Sequence, residues 1–395
     1  MDEKIRMLHG SGGEATSRLI KEIIAAEFGS NAEEDAAVVT VPTTVAPRIA
    51  MTTDSFVVTP CIYPGGDIGR LSVCGTVNDL LCRGAVPKFL TCGMILEEGF
   101  SVDTLKKISH SMAETAKEAG VRIVAGDTKV VEGRARSGQS PTPDTSPAPV
   151  ATPNLSPAPD TTPAAVAAGV ARNSNQAPVA TLNPGPAPDP GSAPASGIFI
   201  NTAGIGFVPA GTDISAAGAK DGDSIIVTGF LGDHHAAIMG TRLGMDTEFQ
   251  SDNAPLVEIA EALRPFAVHT LRDVTRGGLA TALSELAEAS GKSFVIEEER
   301  LPVSPAIRDF CGILGLDPLY MGNEGKLVII VDNRDEERAL QAVRSSRYGE
   351  NAAVIGKVSA PEGIQDTAGS AFLKTSVGGF RRLSPLRDEG LPRIC

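Results

Sequence analysis

From about Ser140 to Ala195 the chain is written almost entirely in Pro, Ala, Thr, Ser, Asn and Asp. This stretch holds 14 of the 28 prolines, no aromatic residue, and Arg172 as its only basic residue. It cannot bury enough apolar surface to offset the entropy of ordering its backbone. A disordered, polyproline-biased insertion with outer bounds of about 137–196 is expected, so the residues on either side must build any core. A docking segment for a partner is the alternative reading of the same composition. Structure resumes sharply on both flanks. Val121-Arg-Ile-Val-Ala before it and Ile198-Phe-Ile-Asn-Thr-Ala-Gly after it read as strands. The insertion is therefore expected to stand in place of a hairpin turn between two strands of one sheet.

With 395 residues the chain exceeds one ordinary core, and two mixed α/β domains are expected. The first spans 1–208 with the insertion looped out, the second 213–385, and residues 386–395 form a mobile tail. In the first, Ser17 to Phe28, Gly69 to Arg83 and Val102 to Ala119 read as helices, the last with Ser101 as N-cap and Gly120 just past its end. Ala36 to Val41, Arg48 to Thr53 and Lys88 to Ile95 read as strands. In the second, Asp221-Gly-Asp-Ser-Ile-Ile-Val-Thr-Gly reads as a turn and then a buried strand, Lys326 to Val331 and Ala352 to Val358 as strands, and Leu279 to Ala289 and Glu336 to Ser345 as helices. With 42% hydrophobic residues but no Trp, the cores must be built from Val, Ile, Leu and Ala.

A net charge of -13 lacks the basic footprint of a nucleic-acid binder. No run of about 18 apolar residues is present, and Met1-Asp-Glu-Lys-Ile-Arg has no apolar signal core, so no membrane span or secretion signal is expected. The cysteines at 61, 74, 82, 92, 311 and 395 form no C-x-x-C pair, which fits a reducing cytoplasm.

Aspartates recur beside turns in the first domain: Asp35, Asp54, Asp67, Asp79 and Asp127. Each alone reads as a turn residue or cap. Five converging carboxylates would repel one another unless a hard cation sat between them, and Mg²⁺ held by carboxylates and substrate phosphates suits such a set. Lys129 stands two residues after Asp127, on the same face of a strand, where it can meet an oxyanion or simply form a surface ion pair. His9-Gly-Ser-Gly-Gly, with Gly12 and Gly13, can cradle a phosphate with backbone amides or be a flexible leader, and it lacks the Gly-Lys-Ser/Thr of a Walker loop. In the second domain, Leu271-Arg-Asp-Val-Thr-Arg-Gly-Gly-Leu opens a helix, and Asp273 and Thr275 are candidate caps. Its two glycines would let an anion approach the helix N-terminus. Glu324, in Asn323-Glu-Gly, reads as a base or a turn residue. The chain closes on Pro392-Arg-Ile-Cys395. A thiol placed there is exposed by default, and a prenylation signal would need cysteine fourth from the end.

Taken together these motifs resemble the HypE family, which makes the cyanide ligands of [NiFe]-hydrogenase. The resemblance rests on His9-Gly-Ser-Gly-Gly, Thr52-Thr-Asp-Ser-Phe, Gly65-Gly-Asp-Ile-Gly-Arg-Leu, Gly75-Thr-Val-Asn-Asp-Leu, Gly126-Asp-Thr-Lys-Val-Val, Thr275-Arg-Gly-Gly, Asn323-Glu-Gly-Lys-Leu-Val and the closing Pro-Arg-Ile-Cys. It covers nearly the whole chain outside the insertion. The glycine and acidic motifs are shared with aminoimidazole ribonucleotide synthetase and selenophosphate synthetase (the PurM-like superfamily), and the closing Pro-Arg-Ile-Cys is the discriminator.

The resemblance implies a two-domain PurM-like fold, with ATP beside a mixed first sheet that pairs with a second copy into a dimeric barrel. It implies Asp35, Asp54, Asp79 and Asp127 for Mg²⁺, with Asp54, Asp67, Asn78, Asp79, Asp127, Gly12 and Gly13 for the nucleotide. Lys129, Glu324 and Cys395 would serve the chemistry: ATP-dependent dehydration of an S-carbamoyl group on Cys395 to a thiocyanate. The carbamoyltransferase HypF would load that thiol and a HypC–HypD complex would take the cyanide. The long insertion beside Asp127 and Lys129 is a departure from the family pattern. Two rival readings remain: an ATP-dependent synthetase or kinase acting on a free small molecule, and a non-catalytic scaffold. A metal carrier built on Cys74, Cys82 and Cys92 is disfavoured because their spacing is not that of a zinc site, and core thiols are expected there.

Overall fold

The computed structural model describes residues 4–5, 20–28, 48–132, 197–246 and 248–386. Several expectations lie outside these residues: the glycine loop with Gly12 and Gly13, Asp35 and the strand at 36–41, the body of the insertion, and the tail with Cys395. Within the described residues, the chain on both sides of the insertion belongs to one compact unit with two lobes.

The first lobe is a four-stranded mixed sheet. Its strands are β1 (Arg48–Phe56), β4 (Val86–Glu97), β5 (Arg122–Val131) and β6 (Ile198–Val208), in the order β1-β6-β4-β5. Strands β4 and β5 run parallel, and the other pairs antiparallel. A two-stranded ribbon, β2 (Ile62–Tyr63) and β3 (Gly66–Asp67), leads into helix α1 (Ile68–Cys82). Helix α2 (Val102–Glu118) follows β4. Ser101 caps α2 as expected, accepting from Thr104 N–H, and Gly120 takes the left-handed φ of +66° just past its end. The leading helix is present as a short stretch over Ile20–Phe28.

The sheet order corrects one expectation. Strands β5 and β6, which flank the insertion, do share a sheet but are not hydrogen-bonded to each other. They pair with opposite edges of β4: Gly93 faces Asp127 on one side and Asn201 on the other. The insertion therefore joins strands separated by a third. The sequence could not show this, because β4 and β5 are parallel and joined through α2 rather than by a turn.

The second lobe holds a seven-stranded mixed sheet in the order β13-β12-β9-β11-β7-β10-β8. Its strands are β7 (Ser224–Val227), β8 (Val268–Asp273), β9 (Phe294–Glu297), β10 (Leu327–Val331), β11 (Ala353–Val358), β12 (Ala371–Lys374) and β13 (Phe380–Leu383). Helices α3 (Asp233–Arg242), α4 (Val257–Leu263), α5 (Gly278–Ser290), α6 (Pro305–Leu314) and α7 (Glu336–Ser345) complete it. Strand β10 is buried at every residue, as a continuous apolar run with neighbours on both edges should be.

The lobes are tied through the segment 251–256. Ser251 N–H donates to Pro64 O (2.8 Å), Arg70 Nε to Asn253 O (3.0 Å), and Asn78 Nδ2 to Ala254 O (3.0 Å). Arg70 also reaches Glu118 (2.9 Å) and the Tyr348 hydroxyl (3.1 Å), so one guanidinium binds parts of both lobes. This packing explains the Gly65-Gly-Asp motif. A Cβ on Gly65 would lie 2.5 Å from Ser251 N, and one on Gly66 would lie 2.5 Å from Asn253 Nδ2.

Candidate active site

A cleft of about 420 Å³ opens where β1 and α1 of the first lobe meet β8 and the Glu324 turn of the second. Asp54 enters it from β1 and Asp79 from α1, with Arg272, Asp273, Arg276 and Glu324 facing them. On β1 the side chains alternate, so Asp54 shares the helix-facing side of the sheet with Thr202 of β6 and Cys92 of β4, both buried. Asp54 Oδ1 accepts from Ser55 N–H (2.8 Å), and Asp79 Oδ2 accepts from Thr52 Oγ1 (2.8 Å).

The carboxylates crowd one another. Burial pushes the Asp79 carboxyl up to about 6, Asp273 and Asp54 add to the rise, and Thr52 and Arg272 oppose it. Burial also raises Asp54, with Asp273 acting the same way and the Ser55 amide and Arg276 pulling back. Two desolvated carboxylates whose charges repel form a site that gains from a hard cation. Arg272 and Arg276 supply positive charge on the opposite wall, suited to phosphate oxygens.

Glu324 is only 4% exposed, yet lines this cleft. Asn323 sets its position: its Oδ1 accepts from Gly232 N–H (2.8 Å), and its Nδ2 donates to Val274 O (3.2 Å) and Met321 O (3.1 Å). Cys82 also borders the cleft, but burial, Asp273 and Asp79 hold its thiol well above the ordinary value, so it stays a neutral thiol. Cys74 and Cys92 are buried, as the core-thiol reading expected.

Of the expected aspartates among the described residues, Asp54 and Asp79 come together and Asp67 and Asp127 do not. Asp67 caps α1, its Oδ1 accepting from Gly69 N–H (2.7 Å) and Arg70 N–H (2.9 Å). It therefore sits about 18 Å along the helix from Asp79. Asn78 is buried against the inter-lobe segment, its Oδ1 accepting from Leu256 N–H (2.9 Å). Asp127 lies on β5, three strands and about 14 Å from β1. It aligns with Gly93, Asn201 and Ser55, one position out of the Asp54 row, and so projects from the opposite face of the sheet. Lys129 shares that face and pairs with Asp127 at 3.0 Å, with side-chain exposures of 62% and 67%. Among the described residues, no group of three His, Cys, Asp or Glu side chains is assembled to cage a metal.

A second expectation also needs correcting. Asp273 and Thr275 do not cap α5. Its N-cap is Gly277, at φ +76°, and no side chain caps the helix. Both glycines are fixed by packing: a Cβ on Gly277 would lie 2.3 Å from Thr281 Oγ1, and one on Gly278 would lie 2.5 Å from Leu319 O. Arg272 and Arg276 escaped the sequence reading because an arginine beside a glycine turn carries no distinctive spacing.

Two α/β lobes, each with a mixed sheet, enclosing a carboxylate-lined cleft define a two-domain PurM-like protein. Residues 33–147 match the family described as AIR synthase related protein, N-terminal domain, and residues 220–367 match its C-terminal domain. The carbamoyl dehydratase HypE of Rhodobacter capsulatus is 38% identical over 400 residues, covering 100% of this chain and 99% of the relative. A crystal structure of a hydrogenase maturation protein HypE in complex with ATP superimposes with a TM-score of 0.79 at 36% identity, covering 99% of this chain and 100% of that one. The chain in a HypE–HypF complex superimposes with a TM-score of 0.67 at 38% identity, covering 86% and 90%. The chain belongs to the HypE family of carbamoyl dehydratases. Among the described residues, no helix is long and apolar enough to cross a membrane.

Proposed function

We propose that this protein dehydrates an S-carbamoyl group on Cys395 to a thiocyanate at the cost of one ATP, as a step in hydrogenase maturation. The observation that carries the reading is Glu324: a buried carboxylate in the same cleft as Asp54 and Asp79, facing two arginines. The ATP-bound relative supports nucleotide binding here. Mg²⁺ fits the hard oxygen donors of Asp54 and Asp79, and would offset their mutual repulsion while neutralising phosphate charge.

Hydroxide is a poor leaving group, so a thiocarbamate does not readily lose water. Transfer of the γ-phosphoryl group to the carbamoyl oxygen converts that oxygen into a phosphate leaving group. The amide nitrogen gives up one N–H proton to solvent as its oxygen is phosphorylated, and Glu324 takes the second as the C–O bond breaks, giving a nitrile on sulfur and inorganic phosphate, with ADP as the other product. Arg272, Arg276 and Lys129 are the cations assigned to phosphoryl charge. Placing the substrate on the tail, proposed as residues 386–395, makes the encounter intramolecular.

The separation of Lys129 from Glu324 favours a homodimer. Among the described residues, β1 and β5 are the edges of the first sheet, and Ile49 and Met51 on β1 are exposed at 56% and 74%. Pairing β1 of one copy with β5 of the other closes two four-stranded sheets into a barrel without edges. The β5 edge carrying Asp127 and Lys129 then lies beside the β1 of the second copy. A HypF-type carbamoyltransferase would load Cys395, in line with the HypE–HypF relative, and a HypC–HypD iron-carrying complex would accept the cyanide.

Replacing Cys395 with Ala tests the reading. MgATP binding should persist and cyanide production should cease, and normal cyanide production by that variant would overturn it.

A further inference from the structure

Beneath Glu324 lies a buried ion pair that the mechanism leaves unused. Lys326 Nζ stands 3.0 Å from Asp252 Oδ2, with side-chain exposures of 9% and 4%. The other oxygen of the same carboxylate, Asp252 Oδ1, accepts the backbone N–H of Glu324 at 3.0 Å. The Glu324 carbonyl in turn accepts from Ala254 N–H at 3.4 Å. The segment 251–256 therefore grips Glu324 by both main-chain polar groups, while its other contacts hold the first lobe through Pro64, Arg70 and Asn78. The fit is close: a Cβ on Gly325 would lie 1.8 Å from Asp252 O. The turn that carries Glu324 can be made only with glycine after it.

A buried ion pair is weak as a source of stability, because desolvating both charges offsets their attraction. Its charges act strongly on a neighbouring buried carboxylate, where water does not screen them. We infer that Asp252 and Lys326 are positioning residues: Asp252 fixes the backbone of Glu324 against the cleft, and the Asp252–Lys326 pair sets the charge balance under which Glu324 accepts a proton. This inference rests on Glu324 as the base.

The titratable groups packed around the pair include the buried His234 and His235 of α3, His234 Nδ1 lying 2.7 Å from Ser251 Oγ. Asp233 of α3 feels both members: burial raises its carboxyl to about 6, Asp252 adds to the rise, and Lys326 opposes it. From the first lobe, Tyr63 and Cys74 feel Glu324, and burial holds both groups neutral. Across the cleft stand Asp54, Asp273 and Arg276. Lys326 thus stands beside Asp252 and Asp233, two residues on from Glu324, and the two members of the pair should move the acidic limb of the rate profile in opposite directions. In Asp252→Asn, the acceptor for the Glu324 amide remains but Lys326 loses its partner. The ammonium then stabilises the Glu324 carboxylate, and the limb moves to lower pH. In Lys326→Met, two carboxylates lose their cation, Glu324 holds its proton more tightly, and the limb moves to higher pH. The double variant, neutral at both positions, should return toward wild type.

The experiment is the pH dependence of single-turnover water loss from the carbamoylated full-length protein at saturating MgATP, for wild type, both single variants, the double variant and Glu324→Gln. The expected result is opposite shifts of roughly one pH unit, an unchanged KM for ATP, and recovery in the double variant. If a single variant does not fold, the double variant and the remaining single variant still give the sign. Equal loss of rate at every pH, with no shift, would overturn the inference and leave the pair a purely structural element. Wild-type turnover by Glu324→Gln would instead overturn the base assignment beneath it, so the two failures are distinguishable.

Discussion

The cleft and the outer edge of the first sheet carry the same chemistry in different surroundings. In the cleft, Asp54, Asp79 and Glu324 are desolvated by two lobes, and two of these carboxyls are pushed upward. On the β5 edge, Asp127 and Lys129 neutralise each other in open solvent. Neighbouring charges in the cleft can act on one another strongly, whereas an exposed pair is worth little by itself. On the reading proposed above, the cleft supplies the acid–base half of the site, and Asp127 and Lys129 act only once something covers them. A second copy of the first sheet is the cover proposed above.

The largest effect that would sharpen this contrast is expected at Glu324. Glu324→Gln should lower single-turnover dehydration by about 10² to 10⁴-fold while leaving MgATP affinity within a few-fold, as read by rapid quench and calorimetry. Lys129→Met should come next, with a fall of about 10-fold or more in the same assay. Mixing these two impaired variants then tests the division directly. If the edge and the cleft of one active site come from different copies, random exchange should restore about a quarter of wild-type activity. A mixture that stays inactive would place both halves in the same chain and break the comparison.

Smaller effects follow from the crowding around Asp79. Its folded-state value of about 6 lies above that of an ordinary aspartate, so the folded protein binds this proton more tightly than the unfolded chain. Without a cation, Asp79 should therefore cost stability above pH 6, and stability should rise as pH falls from about 6 toward 4 at this one group. Asp79→Asn should raise the melting temperature at pH 8 by about 2–4 °C while weakening MgATP binding. A drop in melting temperature would contradict the crowding. For the wild type, MgATP affinity should fall as pH is lowered through about 6, since the proton and the cation compete for Asp79. Flat affinity from pH 7.5 to 5.5 would remove Asp79 from the site.

Local features were legible in the sequence. Ser101 and Gly120 bracket α2 because capping depends on a few adjacent residues, and the strand read at Lys326 to Val331 is observed at Leu327–Val331 because its apolar run is buried on both faces. The elements of the cleft were also legible: Asp54 follows a strand read at 48–53, Asp79 lies in a helix read at 69–83, and Glu324 stands just before the strand read at 326–331. What could not be read was the order of strands. A parallel β4–β5 pair and an intervening β4 turned an expected hairpin into a crossing, and moved Asp127 to the far edge and opposite face. Long-range packing was equally hidden: Gly65 and Gly278 fit against Ser251 and Leu319, nearly 200 and about 40 positions away.

The most direct test of the account is the mass of the C-terminal peptide of the full-length protein after incubation with a HypF-type carbamoyltransferase, carbamoyl phosphate and ATP. The account predicts a carbamoyl adduct on Cys395 that loses one water only when MgATP is present. An adduct that never loses water, or an unmodified Cys395 beside an active transferase, would contradict it.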